Sequence, residues 1–329
     1  MPHQITMPRH SRIAAPVEEN LTPRARRAST SGNLSSRALA AHITRAASKQ
    51  AYYTIHFLVD RDRTLDAYRA YAYFRWVDDW LDQRNDAPES DRVAFVERQQ
   101  GLIERGYHGT QRGSMAGDVA PEERLLLDLT ASDAAESSGL QSYIRNMMAV
   151  MRFDATRRGR LISGHELDAY TRWLATAVTD ALHHFIGHDH APVSELRYRP
   201  AMAAHITHML RDTVEDNALG YFNAPGELLQ AHGIGPREIE SAPYRDWVRG
   251  RVELARAYFR DGTRYLNQVA SLRCRLAGYA YMARFVGILD AIERDGYALR
   301  PEYPEFRRAG YGLRMSGSVC AKALLRGKR

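Results

Sequence analysis

The sequence predicts an all-α protein, and three observations carry that prediction. Between about Leu39 and Gly312, Ala, Leu, Arg and Glu dominate the chain. Apolar residues there recur at three- and four-residue steps, the period of a helix with one buried face. No run of alternating β-branched residues flanked by hairpin turns occurs in the 329 residues. Hydrophobic residues make up 44% of the chain, enough for a sizeable core. Mean hydropathy is −0.47, and no uninterrupted apolar run approaches the length of a transmembrane helix.

The elements follow in order. Residues 1–38 are rich in Pro, Ser, Thr, Arg and Ala, a composition that predicts a disordered basic and polar leader. No apolar stretch follows its basic residues, so it does not read as a secretory signal. "RTLDAYRAYAYFRWVDDWLDQ" places Leu65, Tyr68, Ala72, Trp76 and Trp80 at helical spacing and predicts one long amphipathic helix. "SMAGDVAPEE" reads as a loop from its Gly and Pro content. "HELDAYTRWLATAVTDALHHFIG" is a second helix, with small residues Ala175, Thr176 and Ala177 near its middle that admit a close neighbour. "YRPAMAAHITHMLRDTVEDNALG" and "AGYAYMARFVGILDAIERDG" are helices that stop at Gly220 and Gly296. "NAPGELLQAHGIGP" between them is loop, with a short helix and turn at Gly226. "RVELARAYFRDGTRYL" is amphipathic and reads as a packed helix whose arginines also suit an enzyme of lipid substrates. Residues 39–312 are expected to form the folded domain, and 313–329 a basic tail.

The net charge of +7 and pI near 9.4 suit nucleic acid, anionic lipid or a polyanionic small molecule. No nucleic-acid motif is present, and much of the charge is terminal: "RARR" at Arg24 to Arg27 and "LLRGKR" at the end. Nucleic acid is therefore not expected as a partner. Two cysteines, Cys274 and Cys320, supply no disulfide framework and suit a reducing compartment. A cytoplasmic location with peripheral contact at a membrane is the expectation. The sequence leaves the oligomeric state open.

Two acidic clusters carry the chemistry. Asp78 and Asp82 stand four apart in "YFRWVDDWLDQ", with Asp79 beside them and Arg75 one turn earlier. Asp212 and Asp216 stand four apart in "LRDTVEDN", with Glu215 alongside and Arg211 adjacent. Residues four apart share a helix face, where like charges destabilise an isolated helix. A neighbouring Arg or Lys, or a bound metal, is needed to compensate. Asp78 also lies among Tyr73, Phe74, Trp76, Val77, Trp80 and Leu81, and a carboxylate beside a buried stripe is costly unless paired or metal-bound. Two such helices can hold hard cations such as Mg²⁺, which keep waters and substrate phosphates in their shell. That chemistry suits the departure of a diphosphate group. A third spacing, Asp180, His184 and His188, is compatible with Zn²⁺ on a helix face. It runs into a Pro-containing loop where exposed histidines are common, and it is set aside.

Four stretches together resemble the squalene and phytoene synthase family, the head-to-head trans-prenyltransferases. They are "SKQAYY" from Ser48, "YAYFRWVDDWLD", "LRDTVEDNALGYFNAP" and "ILDAIERDGY". The resemblance runs from about Ser48 to Pro304. It implies an isoprenoid-synthase helical bundle around a central apolar cavity. It further implies condensation of two farnesyl or geranylgeranyl diphosphates with release of diphosphate. On the same basis Asp78, Asp82, Asp212, Glu215 and Asp216 are metal ligands, for Mg²⁺ or alternatively Mn²⁺. Ser48, Lys49, Arg75 and Arg211 contact diphosphate oxygens. Tyr71, Arg75 and Asp79 lie at the reacting centre, and Tyr52, Tyr53, Tyr71 and Phe285 are the pocket aromatics.

This sequence also departs from the family pattern. His205 and His208 replace the usual Gln and Asn before the second motif. His208 then forms a four-residue ladder with Asp212 and Asp216, as a metal ligand, a proton acceptor or a diphosphate contact. The family's Gly-Arg-x-Tyr becomes Gly220-Tyr221-Phe222-Asn223, which loses a positive charge and a Tyr. Thr176 and Thr179 stand where glycines are usual, and Phe285 where a Tyr is usual. These changes touch the pocket, so two alternatives stand beside head-to-head coupling. One is a terpene cyclase or a transferase to a non-prenyl acceptor; the other is a non-catalytic assembly or binding protein on the same fold. NADPH dependence is undecided: no dinucleotide fingerprint is present, and this fold would not need one.

Overall fold

The computed structural model describes residues 36–84, 87–108, 119–133, 137–187 and 194–304. The leader up to residue 35, the basic tail, Cys320 and His188 lie outside them. The described residues form eleven α-helices and one short 3-10 helix, with no strand among them, as the periodicity predicts. They fall into two compact units, divided after Ala134. None of these helices is long and apolar enough to cross a membrane.

The first unit contains α1 (Ser36–Ala47), α2 (Lys49–Leu58), α3 (Thr64–Gln83), α4 (Glu89–His108) and α5 (Pro121–Ser132). Ser48 separates α1 from α2. Its backbone is extended and its hydroxyl accepts from Ala51 N–H at 2.9 Å, an N-cap that starts the second helix. α3 packs on α1, α2 and α5. Its buried arc is accordingly wider than one stripe: Ala67, Ala70, Phe74, Val77 and Leu81 are buried together with Tyr68, Ala72 and Tyr73. Trp76 and Trp80 are half-buried and meet Phe95 of α4, Trp80 stacking on it at 3.8 Å. The Pro and Glu residues of "SMAGDVAPEE" open α5, not a loop, because Pro121 occupies the first helical position, where its missing N–H costs nothing. Glu123 is buried and accepts from Ala120 N–H, Arg98 and Gln99. Gln99 in turn accepts from Tyr73 OH at 3.1 Å, so one satisfied polar chain ties α3, α4 and α5. Leu125, Leu126 and Leu129 fill the centre, each fully buried and worth about 1.5–3 kcal/mol.

The second unit contains α6 (Gly139–Thr156), α7 (Gly164–Phe185), α8 (Arg199–Ala218), α9 (Gly226–His232), α10 (Ala242–Gln268) and α11 (Leu272–Arg294). α8 is its axis, packed on α7, α10 and α11. Ala201, Ala203 and Ala204 are buried and let those helices approach. At one crossing the approach requires glycine: a Cβ on Gly262 of α10 would lie 2.5 Å from Pro200 Cγ. α8 ends in a Schellman turn. Gly220 has φ +85, Gly220 N–H donates to Asn217 O at 3.2 Å, and Tyr221 N–H donates to Asp216 O at 2.8 Å. This reversal brings Asn223 back beside the last turn of α8.

Candidate active site

In the first unit the acidic motif lies on the inner part of α3. Asp78 is buried, because it follows Val77 on the packed arc, while Asp79 and Asp82 are half-buried. Arg75 answers the cluster from one turn earlier. Its Nη2 lies 2.6 Å from Asp79 Oδ1 and its Nη1 3.6 Å from Asp78 Oδ2. Burial works against the Arg75 charge, but Asp79 and Asp78 outweigh it and hold the guanidinium above its ordinary range. Tyr71, one turn further back, lies close to the Ser48 side chain. Burial raises the Tyr71 phenol; Arg75 and Ser48 oppose the rise, while Asp78 and Asp79 reinforce it, so the group stays a protonated donor at neutral pH. The structure thus brings Ser48, Tyr71, Arg75, Asp78 and Asp79 together. Lys49 begins α2 and is exposed, Tyr52 is half-buried against Tyr68 at 5.4 Å, and Tyr53 is 49% exposed.

The second unit carries the matching motif on α8. Arg211 clasps Asp212 with both arms of its guanidinium, at 2.6 and 2.8 Å. The compensating cation required by each acidic ladder is therefore an arginine of the same helix. His208 Nε2 lies 3.2 Å from Asp212 Oδ2. Burial, aided by Arg211 and Arg284, holds His208 well below the ordinary histidine range, so this is a contact of a neutral imidazole with a carboxylate. His208 also meets Phe285 edge-on at 6.3 Å, and Phe285 is buried between Tyr281 and Arg284. His205 is 3% exposed, packs edge-on against Tyr170 at 4.8 Å, and is likewise held neutral by burial. Glu215 is half-buried, and Asp216 is buried and accepts from Asn223 Nδ2 at 2.8 Å. Thr176 is half-buried, and Thr179 is buried with its hydroxyl 3.4 Å from Arg197 O.

Sequence reasoning did not find Arg157 or Asp154. Arg157 is 2% exposed and donates to Asp154 at 2.8 Å and to Asn223 Oδ1 at 2.8 Å. Tyr170 OH donates to the same Asp154 at 3.0 Å. The positive charge missing after Gly220 is thereby supplied from the end of α6, with Tyr221 stacked against it at 5.2 Å. The spacing Asp154-x-x-Arg157 at a helix end is the one local signal that marks the pair.

The donor set can be tested against a metal. Among the described residues no three His, Cys, Asp or Glu side chains are grouped closely enough to hold an ion by themselves. Each motif offers two carboxylates, which is what Mg²⁺ takes from protein when phosphate and water oxygens complete its octahedron. The residues fit a hard divalent cation that binds together with a phosphate ester. Asp180 is already engaged by Ser142 at 2.5 Å and Arg197 at 3.1 Å.

The relations of the chain to known proteins identify an all-helical prenyltransferase. The chain belongs to the squalene/phytoene synthase family, whose profile matches residues 44–309. It is 26% identical over 223 residues to presqualene diphosphate synthase of Rhodopseudomonas palustris, covering 66% of this chain and 75% of that protein. It is 24% identical over 275 residues to phytoene synthase 3 of Zea mays, covering 80% of this chain and 59% of that one. Among solved structures, squalene synthase HpnC from Alicyclobacillus acidocaldarius superposes with a TM-score of 0.63 at 22% identity, covering 80% of this chain and 95% of that one. A dehydrosqualene synthase in complex with ligand gives 0.66 at 17% identity, covering 87% and 95%. The family's head-to-head condensation of prenyl diphosphates is the activity these relations support; nothing in them favours a cyclase or a non-catalytic relative.

Proposed function

We propose that this enzyme couples two prenyl diphosphates of farnesyl or geranylgeranyl length in a Mg²⁺-dependent reaction. The observation that carries the reading is the pairing, on each motif helix, of carboxylates with an arginine already in contact with them: Arg75 with Asp78 and Asp79, Arg211 with Asp212. A diphosphate presents to Arg211 the same bidentate oxygen geometry as Asp212, and to Arg75 an oxygen in place of Asp79 Oδ1. Substrate binding can then draw Arg75 and Arg211 onto phosphate oxygens and free Asp78 and Asp212, which with Asp82 on α3 and with Glu215 and Asp216 on α8 would hold divalent cations. Bound Mg²⁺, or Mn²⁺ in its place, would neutralise the charge that develops on the leaving diphosphate. Ser48 and Lys49 would add donors to the same anion, and Tyr71, kept protonated, would offer one more at the reacting centre. The buried ring of Phe285 in the second unit and the half-buried ring of Tyr52 in the first are the aromatic groups that would offer a quadrupole to the allylic cation, whereas Tyr53 is too exposed to exclude water from it. Lipid substrates of this kind favour a cytoplasmic enzyme with peripheral contact at a membrane.

The test is diphosphate release by the purified protein from farnesyl or geranylgeranyl diphosphate, with and without Mg²⁺ and without NADPH, followed by mass analysis of the lipid extract. A metal-dependent product of doubled carbon number is expected. A monomer-sized hydrocarbon would support cyclisation, and no release from either substrate would overturn the reading. His208→Asn is expected to keep diphosphate release within about tenfold of wild type while changing the product profile. Its imidazole contacts Asp212 as a neutral partner that an amide can replace. Complete loss of release would place His208 among the indispensable groups.

A further inference from the structure

Asp216 is held by a side chain from beyond its own helix. Arg211 clasps Asp212 and Arg75 meets Asp79, while Asn223 Nδ2 donates to Asp216 at 2.8 Å. Behind that amide stands a buried chain. Tyr170 OH donates to Asp154, Arg157 donates to Asp154 and to Asn223 Oδ1, and Asn223 donates to Asp216. Every member is at most 8% exposed. The chemistry fixes the direction of each link. Arginine only donates and an ionised carboxylate only accepts, so the residue between Arg157 and Asp216 must accept on one side and donate on the other. An amide does this, and it can face only one way. The charges divide likewise: Arg157 and Asp154 form a neutral pair, held further by the rings of Tyr170 at 5.0 Å and Tyr221 at 5.2 Å. Asp216 receives a fixed hydrogen bond from the end of this chain.

We propose that Asn223 and Arg157 are positioning residues that lock the Asp216 carboxylate in the orientation used to bind the divalent cation. The inference rests on the catalytic reading above and adds the device that aims one of its ligands. The Asn223 hydrogen bond holds Asp216 while Arg211 clasps Asp212. The Schellman turn at Gly220 is part of the device, because it returns Asn223 to Asp216 seven residues later.

The experiment measures Mn²⁺ binding by electron paramagnetic resonance with inorganic diphosphate present, in wild type, Asn223→Leu and Asn223→Ser. It is paired with the Mg²⁺ dependence of turnover. Circular dichroism confirms folding, and Asn223→Ser, which admits a water, serves if Asn223→Leu does not fold. Second-sphere groups of this kind govern metal affinity by about 10–100-fold. The expected result is a weakening of Mn²⁺ binding in that range, with the apparent Mg²⁺ requirement rising more than kcat falls. Wild type that binds Mn²⁺, with folded variants that bind it equally well, overturns the relay alone. A lower melting temperature with an unchanged Mn²⁺ dissociation constant also overturns it, since that marks a purely structural role. Wild type that binds no Mn²⁺ overturns the catalytic reading and the relay with it.

Discussion

Asp82→Asn and Asp216→Asn are each expected to lower turnover of a prenyl diphosphate by about 10³-fold or more, equivalent to ~4 kcal/mol of transition-state stabilisation. The substitution keeps volume and helix geometry and removes only the negative charge, so the effect reports on the ion rather than on packing. Asp216 is 8% exposed, and replacing a buried carboxylate by an amide removes a desolvation cost. The melting temperature should therefore hold or rise slightly. The check is steady-state turnover across a Mg²⁺ titration, beside thermal unfolding of the same preparations. Full activity in either variant would remove that residue from the metal site, and a folded, inactive protein whose loss is not relieved by raised Mg²⁺ is the expected finding. Asp82 is the sharper of the two, because its loss leaves the Tyr170–Asp154–Arg157–Asn223 chain untouched.

How much of this was readable from sequence differs by element. The α3 helix follows directly from its three- and four-residue apolar steps, and the same spacing marks Asp78 as a carboxylate on a packed face, which the structure bears out. The Gly220 and Gly296 stops are likewise local signals, and both residues have positive φ. The apolar stripe of α3 is wider than the sequence reading draws it, because periodicity marks one face while α3 meets α1, α2, α4 and α5. The residues around Asp216 show the other limit. Read along the chain, Tyr221 and Asn223 mean a lost arginine and a lost tyrosine. In space the positive charge comes from Arg157, 66 positions from Asn223 in sequence, and the amide is what links it to Asp216. Helical periodicity carries no information about which distant cation a turn will meet. The neutral state of His205 and His208 is similarly a property of their burial on α8, not of their spacing.

Arg157→Met is expected to cost about 3–5 kcal/mol of stability, the largest folding effect in the second unit, because it leaves Asp154 buried without its cation. For a unit of this size that corresponds to a fall in melting temperature of roughly 10 °C. Tyr170 OH would still donate to Asp154, but one neutral hydrogen bond does not offset a buried carboxylate charge. The double variant Arg157→Met with Asp154→Asn separates the two contributions. Removing both charges together takes away the uncompensated ion, so much of the lost stability should return, as it does when a buried pair is replaced as a whole. Metal affinity should not return with it, since Asn223 would still lack the donor that sets its orientation toward Asp216. Thermal unfolding of the single and double variants, with Mn²⁺ binding measured on the double, therefore distinguishes what Arg157 does for folding from what it does for Asp216. Recovery of both together would mean that the pair matters only as packing. Recovery of stability without metal affinity is the outcome that a buried cation acting through an amide requires.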